Sequence, residues 1–224
     1  MMLTVICPPL FSEYMRVHAL LRKLAISLAE HQQDVLRFDY RGTGDSFEDL
    51  SEVTVADWVD DIASAVREGR DLSGSDAVQV VGVRAGALLA CKALGESRHI
   101  QRFVLWDPVP SGTYCLQSLR SIQARMLEAI PLTRADLRQA ANEYGGHRLS
   151  DLMITELRSL DASAYSSVPK SKLHTIWTSS PTNFPVQGAA HWEEGFTCDW
   201  ENEKEDLLMP KIVLERLISC LTTS

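Results

Sequence analysis

The stretch Val78 to Ala90, VQVVGVRAGALLA, restricts this chain more than any other. Val78, Gln79, Val80, Val81 and Gly82 form a short, mostly apolar, β-prone run that reads as a buried strand. The small and apolar residues Ala85 to Ala90 then open a helix. Passing from strand to helix in so few residues demands a sharp turn. Gly82 and Gly86 remove Cβ atoms where the two elements come closest. The residue in the middle of that turn is held up beyond the end of the strand. Here it is Arg84, whose guanidinium stays protonated in a protein and cannot attack a carbonyl.

The rest of the chain alternates in the same way. Leu3 to Cys7 reads as a short buried strand ended by Pro8-Pro9, which cannot continue a ladder. A helix over Glu13 to Glu30 follows, with Val17, Leu20, Leu21, Leu24 and Leu28 at helical spacing. Val35 to Asp39 is the second strand, and Arg41-Gly42-Thr43-Gly44-Asp45-Ser46 is a tight turn without the lysine of a phosphate-binding P-loop. Thr54 and Asp57 form an approximate capping box for a helix reaching about Glu68, with Trp58, Ile62 and Val66 on its apolar face. After the central stretch, Arg102 to Asp107 is the next strand, and Lys172 to Thr178 another. Strands alternating with helices imply a doubly wound, mostly parallel sheet. Such sheets gather functional groups at the carboxyl ends of their strands, where Arg84, Asp107 and the loop from Cys7 to Glu13 fall.

Ser111 to Ser167 reads differently, as helices over Cys115 to Glu128, Thr133 to Glu143 and Ser150 to Leu160 with no evident strand. Residues 1–110 and 168–224 are therefore expected to form the core, and 111–167 a helical lid or cap insertion. The arginines of that insertion, such as Arg120, Arg125 and Arg148, suit a solvated helix face. Gly195 to Asp199 is the expected last strand, and Leu207 to Leu221 a closing amphipathic helix. If the last strand is instead Pro185 to Ala189, His191 falls just after it.

With 224 residues, 45% of them hydrophobic, the chain is long enough for one soluble domain with a sizeable core. A formal net charge of -8 argues against nucleic acid and anionic lipid as partners. The apolar start, MMLTVICPPLF, is too short for a membrane span and lacks the basic n-region of a signal peptide. Five scattered cysteines without a C-x-x-C suit reduced thiols in the cytoplasm rather than disulfides or zinc. No metal and no cofactor is expected.

Strand, sharp turn and helix around Gly-x-x-x-Gly resemble the nucleophile elbow, G-x-S-x-G, of the α/β-hydrolases. Four stretches extend that resemblance: PPLFSEYMR (Pro8 to Arg16), DYRGTGDS (Asp39 to Ser46), VGVRAGALLA (Val81 to Ala90) and LWDPVPSGTYCLQSLR (Leu105 to Arg120). Together they are similar to the exosortase A system-associated hydrolases of type 2, found with exopolysaccharide clusters. The resemblance implies an α/β-hydrolase fold with a lid, and a loop after the first strand that supplies an oxyanion-hole N–H from Leu10 or a later residue. That group also tends to carry arginine at the elbow. This chain departs from it in carrying Asp107 where an uncharged residue is expected, and in beginning directly at the strand before the oxyanion loop. No carboxylate stands in Ser179 to Pro185, where hydrolases often place the triad acid, and Asp199, Trp200 and Glu201 occupy the usual place of the triad histidine.

Three readings follow. In the first, serine chemistry has lapsed. Arg84 sits on the pocket floor, paired with Asp107 or an acid of the last loop, because an unpaired buried charge is costly. The pair either ties the sheet edge together or leaves room for a small acyl or anionic ligand, touched by Arg84, Asp107, Leu10, Phe11, Glu13 and Ala85. In the second, an ester or thioester hydrolase works with a relocated nucleophile, Ser12, Cys7 or Ser111, and His191 or His18 as base. In the third, the fold's surface serves as an accessory module for a homodimer or a partner protein of the same pathway.

Overall fold

Six parallel strands, in the order β2-β1-β3-β4-β7-β8, carry the fold. They are β1 (Met2–Cys7), β2 (Asp34–Arg37), β3 (Ala77–Val83), β4 (Ile100–Trp106), β7 (Leu173–Trp177) and β8 (Ala189–Trp192). The computed structural model describes residues 2–129, 143–178, 188–192, 197–200 and 208–223.

Each central strand alternates its side chains between two cores, as the pleat requires. Val5, Val80 and Leu105 face one side, where α2 (Val55–Ser73) and α3 (Ala85–Leu94) pack with Trp58, Ile62 and Leu88. Ile6, Val81 and Val104 face the other, against α1 (Ser12–Glu30) and a closing helix, Lys211–Thr222. The five apolar positions expected on α1 are all buried. With α1 on one face and α2 on the other, the winding reverses between β1 and β3. The crevice beyond their carboxyl ends is the switch point where open α/β sheets take ligands.

Helix α2 begins as its sequence demands. The Thr54 hydroxyl accepts from Asp57 N–H at 3.1 Å, and the Asp57 carboxylate accepts from Thr54 N–H at 2.9 Å. Its end lies five residues beyond the expected Glu68. Residues 67–73 are mostly polar and break the apolar period, yet Gly69 packs against Leu3, and the helix stops only at Gly74, in the left-handed region.

The 111–167 segment differs from its all-helical expectation. Helix α4 (Gly112–Ala129) and the helix Asp151–Ser159 form, but β5 (Glu143–Tyr144) and β6 (His147–Arg148) pair as a small antiparallel hairpin around Gly145-Gly146. The two glycines, both at positive φ, make a two-residue turn that strand propensity alone did not signal. The helix expected over Thr133 to Glu143 lies outside the described residues except for Glu143, which is in the hairpin. The hairpin is tied to α4: Gln123 accepts from Gly146 N–H at 2.6 Å, and Arg120 donates to the Tyr144 hydroxyl at 2.6 Å. The segment also grips the core. Glu156 accepts from Val55 N–H at 2.7 Å and Ala56 N–H at 3.2 Å, so it caps the open end of α2.

The last described strand is Ala189–Trp192, in place of either expected position. Residues 197–199 are not strand, and 193–196 lie outside the described residues. The four-residue strand is too short to announce itself among Gly, Ala and Trp. The closing helix begins at Lys211, after Pro210. All five cysteines are free, as their spacing suggests. No helix among the described residues is long and apolar enough to cross a membrane.

Removing the Thr54 cap by Thr54→Ala is expected to lower the unfolding free energy by about 1 kcal/mol in urea titrations. An unchanged midpoint would contradict the capping assignment.

Candidate functional site

Three residues with positive φ stand at the carboxyl ends of three neighbouring strands. They are Phe11 after β1 (φ 57°), Arg84 after β3 (φ 53°) and Asp107 after β4 (φ 42°). Side chains other than glycine seldom hold this conformation, and such strain gathers at functional sites. The two elbow glycines are dictated by contact. A Cβ on Gly82 would lie 2.5 Å from Ala87 Cα, and one on Gly86 only 2.1 Å from the Pro8 carbonyl oxygen. The elbow is therefore wedged against the loop after β1, and Arg84 projects into the crevice between β1, β3 and β4.

There Arg84 is only 4% exposed. Its Nε and Nη2 both lie 3.0 Å from Glu13 Oε1. Nη1 donates to the backbone carbonyl of Asp107 at 3.4 Å. The guanidinium carbon stands 5.0 Å from the Trp200 ring centre and 5.7 Å from that of Tyr114, both cation–π distances. Burial works against the charge, but the Glu13 carboxylate together with Tyr114, Cys115 and Asp107 outweighs it, and Arg84 holds its proton more firmly than a free guanidinium. Burial pushes the Glu13 carboxyl up, and Arg84 pulls it back.

The expected pairing of Arg84 with the Asp107 carboxylate is not what forms. Asp107 is fully buried, and its oxygens accept from Thr178 N–H at 2.7 Å, from the Thr178 hydroxyl, and from Trp200 Nε1–H at 2.7 Å. Trp200 is held in turn by Arg16, which donates to the Asp199 and Trp200 carbonyls at 2.8 and 2.7 Å. Arg84, Trp200 and Asp107 thus form a row in which an indole stands between a cation and a carboxylate. A serine triad needs an imidazole there, donating through one nitrogen and accepting a proton on the other. Indole has a single N–H and no acceptor.

Among the described residues, the alternative nucleophiles are not brought to a base. Cys7 is fully buried, and burial pushes its thiol far up, which disfavours the thiolate. The Ser111 hydroxyl accepts from Tyr114 N–H at 3.1 Å at the start of α4. His18 Nδ1 contacts the Met15 carbonyl at 2.8 Å. His191 lies within β8, in register with Ile176, rather than in a loop after a strand. Ser12 does line the crevice, but among the described residues no histidine hydrogen-bonds to it.

Leu10, Phe11, Glu13, Ala85 and Arg84 come together as expected, roofed by Tyr114, Cys115 and Ile122 of α4. The space they leave for the centre of a water molecule is only about 20 Å³, enough for about one water. The larger opening lies across the loop after β1. It measures about 200 Å³ and is walled by Pro8, Phe11, Tyr14, Tyr40, Leu50 and His147. Sequence reasoning named neither His147 nor the roles of Trp200 and Arg16. The Arg84 partner Glu13 was legible in principle, since it sits in the first turn of the helix that leaves the strand beside the elbow.

A model of the α/β hydrolase fold family matches residues 6–214. No curated protein of similar sequence is found. Among solved structures the chain is similar to Est1E from Butyrivibrio proteoclasticus with ferulic acid bound (TM-score 0.65, 13% identity, 99% of this chain and 88% of that one). It is similar to tomato methylketone synthase I, as a variant complexed with β-ketoheptanoate (TM-score 0.62, 14% identity, 98% and 96%). It is also similar to an esterase from Exiguobacterium antarcticum (TM-score 0.60, 14% identity, 100% and 92%). At these identities the likeness is one of fold. The family model, by contrast, spans nearly the whole chain, and with the elbow, the switch-point crevice and the strand order in place, this protein belongs to the α/β-hydrolase fold family.

Proposed function

We propose that this protein has given up serine-based ester hydrolysis and acts by binding a small ligand. The observation that carries the reading is the row Arg84–Trp200–Asp107: two of its members, Arg84 and Trp200, stand where acyl-transfer chemistry needs a group they cannot replace. Arg84 supplies no nucleophilic oxygen, and Trp200 supplies no base. Of the two ligand types, an acyl or otherwise uncharged molecule fits better than an anion. Arg84, the one cation among the described residues lining the elbow crevice, is already matched by Glu13, and the crevice holds little more than a water.

In this reading residues 111–167 act as a lid whose helix α4 closes the old catalytic crevice. The four stretches similar to the exosortase-associated group support a place beside exopolysaccharide synthesis, in the cytoplasm. Hydrolysis by Ser12 or Cys7 gains no support, since no described histidine hydrogen-bonds to either.

A panel of p-nitrophenyl acetate, butyrate and octanoate is expected to be hydrolysed no faster than in buffer. Arg84→Ser alone is expected to stay silent, because Trp200 cannot take the proton. Turnover by the unaltered protein that disappears in Ser12→Ala or Cys7→Ala would overturn the proposal.

The ion pair has its own test. Glu13→Gln is expected to lower stability by about 3–5 kcal/mol, because it strands a buried charge, whereas Arg84→Met in a Glu13→Gln background is expected to recover most of that loss. Thermal and urea unfolding of the two variants measure this. Equal destabilisation in both would mean that the pair is not what holds the elbow.

A further inference from the structure

We infer that the ligand site of this protein is the cavity of about 200 Å³ on the far side of the loop after β1, and that it takes an uncharged molecule of about the size of one aromatic ring or a short acyl chain. The inference rests on the reading of the chain as a binding protein, but it concerns a different place from the elbow.

Size is the first argument. An apolar protein cavity of about 150 Å³ admits benzene, so about 200 Å³ holds a ring with a small substituent or a chain of several carbons. The elbow crevice, at about 20 Å³, admits neither.

Charge is the second. Among the described residues, no lysine or arginine lines the larger cavity. Its one titratable nitrogen base, His147, is held toward the neutral form by burial. The Phe11 ring packs 5.4 Å from the His147 ring. Behind the wall stand charges of both signs on the same side chain: Tyr14 donates its hydroxyl to Asp39 at 2.7 Å, and Arg37 also bonds to that hydroxyl, so these two charges are matched to each other. An anionic group placed here would lose its hydration against a lining that carries no cation among the described residues.

Polar anchoring is the third. Tyr14 and His147 both line the space, and a phenol oxygen and a neutral imidazole nitrogen can each accept a hydrogen bond from an amide or hydroxyl of the ligand. A few polar groups in an otherwise apolar cleft are the usual make-up of a small-molecule site.

The wall itself is built rigidly. A Cβ on Gly44 would lie 2.3 Å from the Asp39 carboxylate, and one on Gly42 would lie 2.8 Å from Leu50 Cα, both at positive φ. These glycines let the turn after β2 fold back to close the cavity. Tyr40 and Phe11, which face the space, are each braced by the fully buried Trp58 at 5.9 Å. The fourth side is the hairpin that carries His147, so the ligand would sit between the sheet edge and the 111–167 segment.

The test uses the full chain with three probes, benzyl alcohol, hexanamide and hexanoate, followed by calorimetry and by the NMR signal of the Met15 methyl group, which borders the cavity. Benzyl alcohol and hexanamide are expected to bind and shift that signal, and hexanoate to bind at least about tenfold more weakly than its amide. His147→Trp and Leu50→Trp, which fill the cavity from opposite walls, are each expected to abolish binding while keeping a cooperative thermal transition. Ser118→Phe, which fills only the elbow crevice, is expected to leave binding intact. Binding that survives both tryptophan variants, hexanoate binding as tight as that of the amide, or no binding by either neutral probe would overturn the inference. Ester turnover at the elbow would sink the proposed loss of catalysis and leave these binding results to be read separately.

Discussion

A charge buried at the tip of a strained turn is the constraint on which the rest of this site depends. Arg84 sits where the strand-to-helix elbow thrusts a side chain into a water-poor crevice, so its guanidinium must be matched on the spot. Glu13 does this from the first turn of α1, and Trp200 and Tyr114 face the cation with their rings. Each of those neighbours is held by something else. Trp200 is fixed through Asp107 and Arg16, and Asp107 through Thr178. The closing segment of the chain is thereby drawn over the elbow, and the crevice shrinks to about the size of a water.

The same geometry explains where the open space lies. Gly86 lets the elbow press directly on the carbonyls of Cys7 and Pro8. The loop after β1 becomes a partition, with the arginine crevice on one side and the wider cavity on the other. Leu10 and Phe11 contribute to both. A hydrolase fold can thus keep its frame and its switch-point location while its usable space shifts by the thickness of one loop. The helical segment above contributes to both spaces as well, α4 closing one and the hairpin bordering the other.

The fold was legible because long periodic stretches report it. The apolar stripe of α1, the alternating strands and the Thr54 capping box are local patterns, and local patterns survive into the folded chain. What escaped notice was short or non-local. The hairpin around Gly145-Gly146 has two residues per strand, and Ala189–Trp192 is hardly longer. Neither offers enough positions for a period to appear. The candidate site was legible in its membership more than in its pairing. Arg84, Glu13, Leu10, Phe11 and Ala85 do meet, because all follow the ends of two adjacent strands. The partner expected for Arg84 is an acid of the last loop or Asp107, which also stands at a strand end. Its carboxylate turns away to Thr178 and Trp200, and only its backbone carbonyl meets the guanidinium.

By itself the sequence determined that a parallel α/β sheet would form and that no serine would stand at the elbow, since both follow from residue types at fixed spacing along one stretch of chain. It also determined that the cation there would need a counter-charge, because burial of a guanidinium has the same cost wherever it happens. Only the tertiary structure decided that Glu13 would provide the charge, that the Trp200 indole would stand between Arg84 and Asp107, and that the wider opening would lie beyond the next loop. Those outcomes depend on which strand ends are neighbours and on how residues far apart in the chain, such as Arg16 and Trp200 or Phe11 and His147, come into contact, and no local spacing encodes that.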